Sequence, residues 1–307
     1  MDRIQTIFAA LADPTRTRIL LLVRDLQLSV GELADILDQS QPRVSRHVRI
    51  LAEAGLVRRQ KEGAWVFVGG GDAALSDRIN DLIFSLSDGA DPIAPERSRL
   101  AQVRAERQRR IDGWFEANAG EWDLLRRLGG QDEAVEGALV AAASARPGVG
   151  RLLDIGTGTG RVLELLAGQA DSAMGIDRSP EMLRLARGKL AGSGNQSAEV
   201  RQADMGALPF ADGSFDTVTL HHVLHFADEP AAVVAEAARL LAPGGKLLVA
   251  DYAAHELEEL RARFHHSRLG FDDGAVQGFM KAAGLSAKLK SRHPGPELCV
   301  NLWEGRR

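Results

Sequence analysis

Apolar positions repeat with a helical period through the first part of the chain, and short polar breaks divide them into four predicted helices. Asp13 is expected to cap the second helix, with Pro14 at its first position, where the missing N–H costs nothing. Ser29 and Glu32 have the spacing of a capping box and open the third helix. The fourth helix is predicted from Pro42 to Ala54.

Alternating apolar and polar residues then predict a β-hairpin. Its strands, Val57–Lys61 and Ala64–Val68, flank a turn at Glu62-Gly63. This order of elements is typical of a winged helix-turn-helix domain, which has helices, a short turn, a helix with a polar basic face and a two-stranded wing. A further helix over residues 72–86 is interpreted as a dimer helix or, alternatively, as part of the domain's own core.

Two segments make this layout similar to a known family. Leu11-Ala-Asp-Pro-Thr-Arg-Thr-Arg-Ile-Leu20 and Ser45-Arg-His-Val-Arg-Ile-Leu-Ala-Glu-Ala-Gly-Leu-Val57 resemble the ArsR-type transcriptional regulators, over about residues 3–70. The resemblance implies a homodimer that binds double-stranded operator DNA with the fourth helix in the major groove. The residues expected to reach base edges are Gln41, Arg43, Ser45 and Arg46. Those expected to contact phosphates are Arg49, Arg58, Arg59 and Lys61.

Local charge favours the same interpretation. The whole chain has a net charge of −4, yet between Arg43 and Lys61 six basic residues stand against a single acid, Glu53. A concentrated basic patch in a near-neutral chain is typical of a phosphate-binding surface, and a solvated helix face is the alternative. His47, inside this segment, is interpreted as a packing or phosphate residue rather than a metal ligand.

Metal-sensing members of that family carry paired cysteines in the helix before the recognition helix, and this chain departs from them. Residues 29–37 contain no cysteine, and the helix over residues 72–86 has Asp77 and Asp81 but no histidine. Thiolate-based sensing of arsenic or zinc is therefore not expected. Any signal to this domain must come from elsewhere in the chain.

Residues 91–128 are predicted to connect a first domain, 1–90, to a second, 129–307. An arginine-rich helix over residues 96–110 is interpreted as a solvated connector, with a second DNA contact as the alternative. The aromatic residues Trp114, Phe115 and Trp122 are interpreted as a lid or docking surface for the second domain.

From residue 131 onward, apolar runs of strand length alternate with helical patterns. Such alternation predicts an α/β fold, a doubly wound, mostly parallel seven-stranded sheet of Rossmann-like type. Ligands of such sheets bind at the carboxyl ends of the strands. The predicted strands lie near residues 151–155, 173–176, 198–201, 217–220, 246–250, 286–290 and 298–303, and the helices near 131–145, 160–168, 180–190, 229–242 and 274–283.

The first of these strands runs into a glycine-rich loop, Leu153-Asp-Ile-Gly-Thr-Gly-Thr-Gly160. Glycines allow the backbone to turn tightly and to approach a ligand. The dinucleotide pattern G-x-G-x-x-G would need a glycine at position 161, which is Arg161, so nicotinamide binding is disfavoured. The spacing that is present instead resembles the class I S-adenosylmethionine-dependent methyltransferases.

Three further matches extend this resemblance over about residues 110–305: the segments around Asp177 and Asp204, and the segments 215–222 and 240–249 together. Asp177 ends the second strand and can accept hydrogen bonds from both ribose hydroxyls. The resemblance implies that Asp204 takes the adenine amino group and that the backbone N–H of Met205 meets the ring. The full set expected to bind S-adenosylmethionine or S-adenosylhomocysteine is Asp154, Gly156, Gly158, Gly160, Asp177, Arg178, Asp204, Met205 and His221.

Six of the eight histidines lie between positions 221 and 266, where an acceptor of the methyl group is expected. A general base is needed only if that acceptor arrives protonated, and His222 and His266 are the candidates. Structural histidines are the alternative. The spacing matches no strong metal template, so no metal is expected, and Cys299 alone cannot support the multi-thiolate chemistry of arsenite methylation.

Composition limits the remaining classes. The chain has 307 residues, of which 45% are hydrophobic and 26% charged, so it can build buried cores. No apolar stretch reaches the roughly 18–20 residues of a membrane span, and no secretory signal is recognisable, so a cytoplasmic protein is expected.

Two functions follow as hypotheses. The first is a DNA-binding regulator whose second domain binds S-adenosylmethionine or S-adenosylhomocysteine as an effector, an arrangement that by analogy suits control of methionine-cycle genes. The second is an active methyltransferase of a small molecule, with an autoregulatory or dimerising winged helix. The late histidine-rich region resembles the quinone-biosynthesis type.

Overall fold

The computed structural model describes residues 2–24, 26–62, 65–71, 73–87, 90–119, 132–192 and 198–307. The chain forms two compact units, residues 1–109 and 110–307. This boundary does not test the predicted division at residues 90 and 128, which stays a prediction.

The first unit is built from short helices and a small sheet. Its helices are α1 (Asp2–Leu11), α2 (Pro14–Leu22), α3 (Val30–Leu37), α4 (Gln41–Glu53), α5 (Ala73–Ser85) and the first part of α6 (Arg97–Asn118), and its strands are β1 (Leu28–Ser29), β2 (Val57–Glu62) and β3 (Trp65–Gly70). The strand order is β1-β3-β2, with both pairs antiparallel. The predicted helix-turn-helix and wing are confirmed.

Local hydrogen bonds explain where these helices begin. The Asp13 carboxylate accepts the backbone N–H groups of Thr15 and Arg16 at 2.9 and 3.1 Å, as an N-cap does. The Ser29 hydroxyl accepts the Glu32 N–H at 3.1 Å, while the Glu32 carboxylate accepts the Ser29 N–H at 2.8 Å. The predicted capping box is therefore confirmed.

Helix α4 presents two different faces. Val44, Val48 and Leu51 are fully buried in the core of the first unit. Arg43, Arg46 and Arg49 are exposed. The helix thus has the amphipathic pattern of an element that packs on one side and is open to a partner on the other.

The second unit contains a seven-stranded sheet with helices on its faces. Its strands are β4 (Arg151–Ile155), β5 (Ser172–Asp177), β6 (Ala198–Gln202), β7 (Phe215–His221), β8 (Leu241–Tyr252), β9 (Ser286–Pro294) and β10 (Cys299–Arg306), and its helices are α7 (Asp132–Ser144), α8 (Arg161–Leu166), α9 (Pro180–Gly192), α10 (Pro230–Leu240), α11 (Glu258–Phe264) and α12 (Asp273–Ala282).

The strand order is β6-β5-β4-β7-β8-β10-β9, and only β10 runs antiparallel to its neighbours. The order reverses between β4 and β7, which is the switch point where ligands of doubly wound sheets bind. Two buried clusters cover the two faces, one around Leu153, Val218 and Trp303 and the other around Leu139, Leu152 and Leu302. The predicted doubly wound fold is confirmed.

Three elements differ from the sequence-based expectation. Strand β1 is only two residues long, too short for a period to show, and it forms by pairing with Phe67 and Val68. Helix α6 continues beyond the predicted end at residue 110 to Asn118, because no proline or glycine pair stops it. Helix α11 was not predicted, since its seven residues are mostly charged.

Candidate functional site

The glycine-rich loop follows β4 at the switch point of the sheet. Gly156, Gly158 and Gly160 have φ angles of 70°, 53° and 85°, which L-residues with side chains rarely adopt. A Cβ atom on Gly156 would lie 2.3 Å from Cγ2 of Val223. The loop therefore needs glycine both for its backbone and for its close packing.

Asp154 lies beneath this loop and is almost fully buried. Its Oδ1 accepts the hydroxyl of Thr219 at 2.6 Å. Burial raises the pKa of the Asp154 carboxyl to about 7, helped by the charge of Asp177 and opposed by hydrogen bonds from Thr219 and Thr157. A cationic ligand group beside it would stabilise the ionised form.

Asp177, the last residue of β5, joins its strand to the glycine-rich loop. Its Oδ2 accepts the Gly158 N–H at 2.8 Å, and its Oδ1 accepts the Ser179 N–H at 2.9 Å. Burial raises the pKa of the Asp177 carboxyl although these hydrogen bonds oppose it. Each carboxylate oxygen keeps a further acceptor site for a ligand hydroxyl.

Asp204 lies just beyond the end of β6, the next strand in the sheet. One carboxylate oxygen accepts the Gly206 N–H at 2.8 Å, and the other lies 3.3 Å from Nη1 of Arg178. The Arg178 side chain also approaches Asp112, with Nε 3.7 Å from Oδ2. Met205 is half-buried beside them.

The residues present fit S-adenosylmethionine. Three adjacent strands, β4, β5 and β6, carry Asp154, Asp177 and Asp204 at or near their carboxyl ends. The hydroxyls, amino group and adenine amine of the cofactor donate hydrogen bonds, and carboxylates accept them. The turn at Gly156 packs so closely against Val223 that a Cβ atom would not fit, and its backbone, bare of a side chain, can approach a ligand.

His221 and His222 follow β7 on the other side of the switch point. His221 is buried, and its ring centroid lies 4.7 Å from that of His222. His222 has a φ of 52°, and its N–H donates to the Ala250 carbonyl at 2.9 Å. A non-glycine residue held in this left-handed region carries backbone strain, and strain of this kind is common at functional sites.

His222 and His266, the two predicted base candidates, lie in one group of aromatic and imidazole rings. Tyr252 links them, with ring centroids 4.9 Å from His222 and 5.8 Å from His266. His266 is buried, and burial lowers the pKa of its imidazole, as do the nearby His225 and His255. A base role for His222 or His266 stays a prediction.

Sequence reasoning missed a buried pair in the same group. Nδ1 of His225 lies 2.7 Å from Oδ1 of Asp251, and the two side chains are 2% and 0% exposed. The His225 backbone N–H also donates to Oδ2 of Asp251 at 3.2 Å. The available signal was an acid directly after the apolar run of β8, which places a carboxylate at the ligand edge of the sheet.

Aromatic rings adjoin this group within the second unit. Phe115 lies 5.0 Å from Phe226, and Trp114 lies 5.2 Å from Phe115 and 5.7 Å from Phe264, between ring centroids. Trp122 falls outside the described residues. The interpretation of these rings as a lid or docking surface stays a prediction.

The predicted DNA-facing residues lie on α4 and β2 of the first unit. All of them are exposed except Ser45, which is half-buried. Arg49 lies 3.9 Å from Glu53, a weak pair between two exposed side chains. His47 is largely buried beside Asp13, with Nδ1 3.8 Å from Oδ1.

In the described residues, no group of three or more His, Cys, Asp and Glu side chains is arranged to hold a metal ion. No helix in this part of the chain is long and apolar enough to cross a membrane.

Family models match both units. The model of bacterial regulatory proteins of the arsR family matches residues 13–59. A methyltransferase domain model matches residues 153–249.

Curated relatives and solved structures match about half of the chain or slightly more. A ubiquinone/menaquinone biosynthesis C-methyltransferase of Desulfotalea psychrophila is 36% identical over 145 residues, 46% of this chain and 57% of the relative. Its counterpart from Geobacter sp. is 32% identical over 169 residues, 52% of this chain and 71% of the relative. The YcgJ protein of Bacillus subtilis superposes with a TM-score of 0.51 at 21% identity, over 57% of this chain and 98% of that one.

Proposed function

We propose that the chain is a ligand-responsive transcriptional regulator. Its first unit belongs to the arsR family of bacterial regulators, and its second unit belongs to the family of the C-methyltransferases named above. In this proposal the methyltransferase domain binds S-adenosylmethionine or S-adenosylhomocysteine, and the bound ligand alters operator binding. Genes of the methionine cycle are the proposed targets.

One observation carries the proposal: the same chain has an exposed basic helix and a glycine-rich cradle with three carboxylates. Arg43 and Arg46 extend from the exposed face of α4, where a recognition helix meets base edges. Asp177 would hold the ribose, Asp204 and the Met205 N–H would hold adenine, and Asp154 would face the cationic end of the cofactor.

Such a response requires that the ligand bind more tightly to one form of the protein than to the other. The proposed form is a homodimer, since two half-sites of an operator are read by two copies. Exposed apolar side chains on α1 and α5 support it: Phe8 is 64% exposed and Leu82 is 49% exposed. Exposed apolar side chains of this extent on two helices of one unit are typical of an interface.

The test is fluorescence-anisotropy titration of the DNA upstream of the gene at fixed salt. We expect S-adenosylmethionine or S-adenosylhomocysteine to change the DNA affinity several-fold. The variant Asp177→Ala should weaken binding of S-adenosylhomocysteine by about 1–3 kcal/mol, the range for lost hydrogen bonds to a charged group, and should lose the response. Asp171→Ala, an exposed acid before β5, is the matched control. Equal DNA affinity without ligand, with S-adenosylmethionine and with S-adenosylhomocysteine would contradict the effector role.

A second candidate function is methyl transfer to a small molecule, favoured by the buried His225–Asp251 pair beside the cradle. The cofactor supplies an activated methyl group, and the chain's own residues would have to bind and align the acceptor. Incubation with S-adenosylmethionine and a metabolite extract should then produce S-adenosylhomocysteine faster than incubation without the extract. Equal rates would leave only the regulatory function.

A further inference from the structure

A buried group of polar rings lies beyond the carboxyl ends of β7 and β8. We call His225, Asp251, Tyr252, His255 and His266 the histidine cluster. His225 and His266 lie 4.1 Å apart, between ring centroids, and His225 and Tyr252 lie 5.2 Å apart. Among the described residues, Nε2 of His225, Nε2 of His255 and Nδ1 of His266 are buried without a hydrogen-bond partner. Buried polar atoms are usually satisfied, so three such atoms together indicate a ligand or water site.

The hydrogen bonds determine which nitrogen of His225 carries the proton. The Asp251 carboxylate can only accept, so Nδ1 of His225 donates to it across 2.7 Å. In the neutral ring Nε2 is then an acceptor, and it points away from Asp251. A group that satisfies Nε2 must bring a hydrogen-bond donor.

His255 has the opposite arrangement. Its Nδ1 accepts the Leu257 N–H at 3.2 Å, so Nε2 carries the proton and donates. Burial lowers the pKa of the His255 imidazole to about 4, with His225 and Arg261 contributing in the same direction and Asp251 opposing, which keeps this ring neutral. His225 therefore offers an acceptor and His255 a donor, and a hydroxyl compound with a second oxygen can use both.

The cluster lies next to the cofactor cradle. Val223 packs against Gly156 so closely that no Cβ atom fits between them, and His225 follows two residues later. In the sheet, His221 pairs with Ala250, the residue before Asp251. His225 and Asp251 thus stand at the same edge of the sheet as the glycine-rich loop.

From this geometry we propose that His225 is the general base for a hydroxyl acceptor, with Asp251 as its positioning residue, and that methyl transfer takes place at the acceptor's oxygen. The inference rests on the second candidate function. A neutral hydroxyl is a weak nucleophile until its proton is removed. The buried acceptor atom of His225 therefore fits an acceptor whose hydroxyl proton is taken up as the methyl group is transferred.

When the cofactor is bound, it supplies the methyl group: the oxygen–carbon bond forms as the carbon–sulfur bond breaks, and that bond's electron pair stays on sulfur. The hydroxyl proton passes to Nε2 of His225. The Asp251 carboxylate stabilises the resulting imidazolium until the proton leaves to water.

The first test measures proton removal without turnover. The full chain is saturated with S-adenosylhomocysteine, and 4-nitrocatechol is added, because its ionised form absorbs at longer wavelength than the neutral form. We expect the bound probe to ionise at a lower pH than the free probe, and we expect its dimethyl ether to show no spectral change. The titratable groups that contact or act on His225 are Asp251, Tyr252, His255 and His266. His222 acts on Asp251, and Arg261 acts on His255 and His266.

Variants separate these groups. His225→Asn keeps a donor to Asp251 but has no base, and it should abolish the spectral shift while operator and S-adenosylhomocysteine binding persist. Asp251→Asn should reduce the shift, and His293→Asn, a histidine on β9 bonded to Ser291, should leave it unchanged. If the probe fails to ionise, or if His222→Asn or His266→Asn abolishes the shift and His225→Asn does not, the inference is overturned. Failure of S-adenosylhomocysteine to bind would instead overturn the proposed function.

Turnover supplies the second readout. With S-adenosylmethionine and 4-nitrocatechol, we expect an O-methyl product identified by mass fragmentation. His225→Asn should lower kcat by about 10²- to 10⁴-fold, as for loss of a general base, with the KM for S-adenosylmethionine unchanged. Transfer to carbon, or an unchanged kcat in the variant, would overturn the assignment.

Discussion

Arg43 and Arg58 illustrate how two exposed arginines of one surface are expected to act differently. Arg43 lies in the first turn of α4, where side chains reach base edges, and Arg58 lies on the wing strand β2. Arg43→Ala should reduce discrimination between the operator and a scrambled duplex. Arg58→Ala should weaken binding to both duplexes and lower the salt dependence by about one phosphate contact. Anisotropy at several salt concentrations measures both effects, and identical behaviour of the two variants would contradict the division.

Asp154 gives the cofactor site a pH dependence whose sign follows from its pKa. The buried carboxyl has a pKa of about 7, raised by burial and by Asp177 and opposed by Thr219 and Thr157. A cationic ligand favours the ionised form, so binding should weaken as the pH falls below about 7 and level off above it. The change should approach tenfold per pH unit if one proton is linked to binding.

Calorimetric titration of S-adenosylhomocysteine between pH 5 and 9 would measure this dependence. Its α-amino group provides the cation at these pH values. Asp154→Asn should remove the dependence and hold the affinity near its low-pH value. A pH-independent affinity in the unmodified chain would contradict the role assigned to Asp154.

At the scale of elements, the capping box at the start of α3 is expected to stabilise the first unit. Ser29→Ala removes the acceptor of the Glu32 N–H and should lower the free energy of unfolding by about 0.5–2 kcal/mol. The Glu32 carboxylate also accepts a hydrogen bond from Nη2 of Arg107 at 2.6 Å. A substitution at Ser29 therefore tests the cap alone, whereas a substitution at Glu32 would also remove this ion pair. Urea unfolding followed by circular dichroism measures the loss. Ser98→Ala, at an exposed position of α6, is the control, and equal losses would contradict the prediction.

Elements with a strong hydrophobic period or with clear terminating residues were predictable, and short or charged elements were not. The hydrophobic face and Gly55 delimit α4, and the apolar run of residues 151–155 is a buried strand. Strand β1 exists only because Leu28 pairs with Val68, a contact between distant positions. Such pairing depends on the folded chain rather than on any local pattern.

At the scale of the whole molecule, the proposed reading of two operator half-sites requires self-association. The apolar side chains left exposed on α1 and α5 include Ile4, Phe8 and Leu82. Leu82→Asp should shift the chain from dimer to monomer in sedimentation analysis and should weaken operator binding in parallel. Ala105→Asp adds the same charge at an exposed position of α6 and serves as the control. A monomeric unmodified chain would contradict the dimer.

The sequence by itself determined the two folds and the expected cofactor residues. Helix caps, glycine turns and strand-length apolar runs are local, and their order along the chain is enough to indicate a winged helix followed by a doubly wound sheet. Asp177 was recognisable because it ends the second strand of this unit, and Asp204 because its segment resembles the methyltransferase family.

Only the tertiary structure brought His225 and Asp251 together. They are 26 residues apart: His225 lies in a short 3-10 turn after β7, and Asp251 lies near the end of β8. No spacing in the sequence distinguishes His225 from the five histidines near it. The parallel pairing of β7 and β8 places them side by side, and burial leaves the Asp251 carboxylate with His225 as its hydrogen-bonded partner. Proximity across a sheet is decided by packing, because the period of a strand specifies which face a residue takes and not which distant residue it meets.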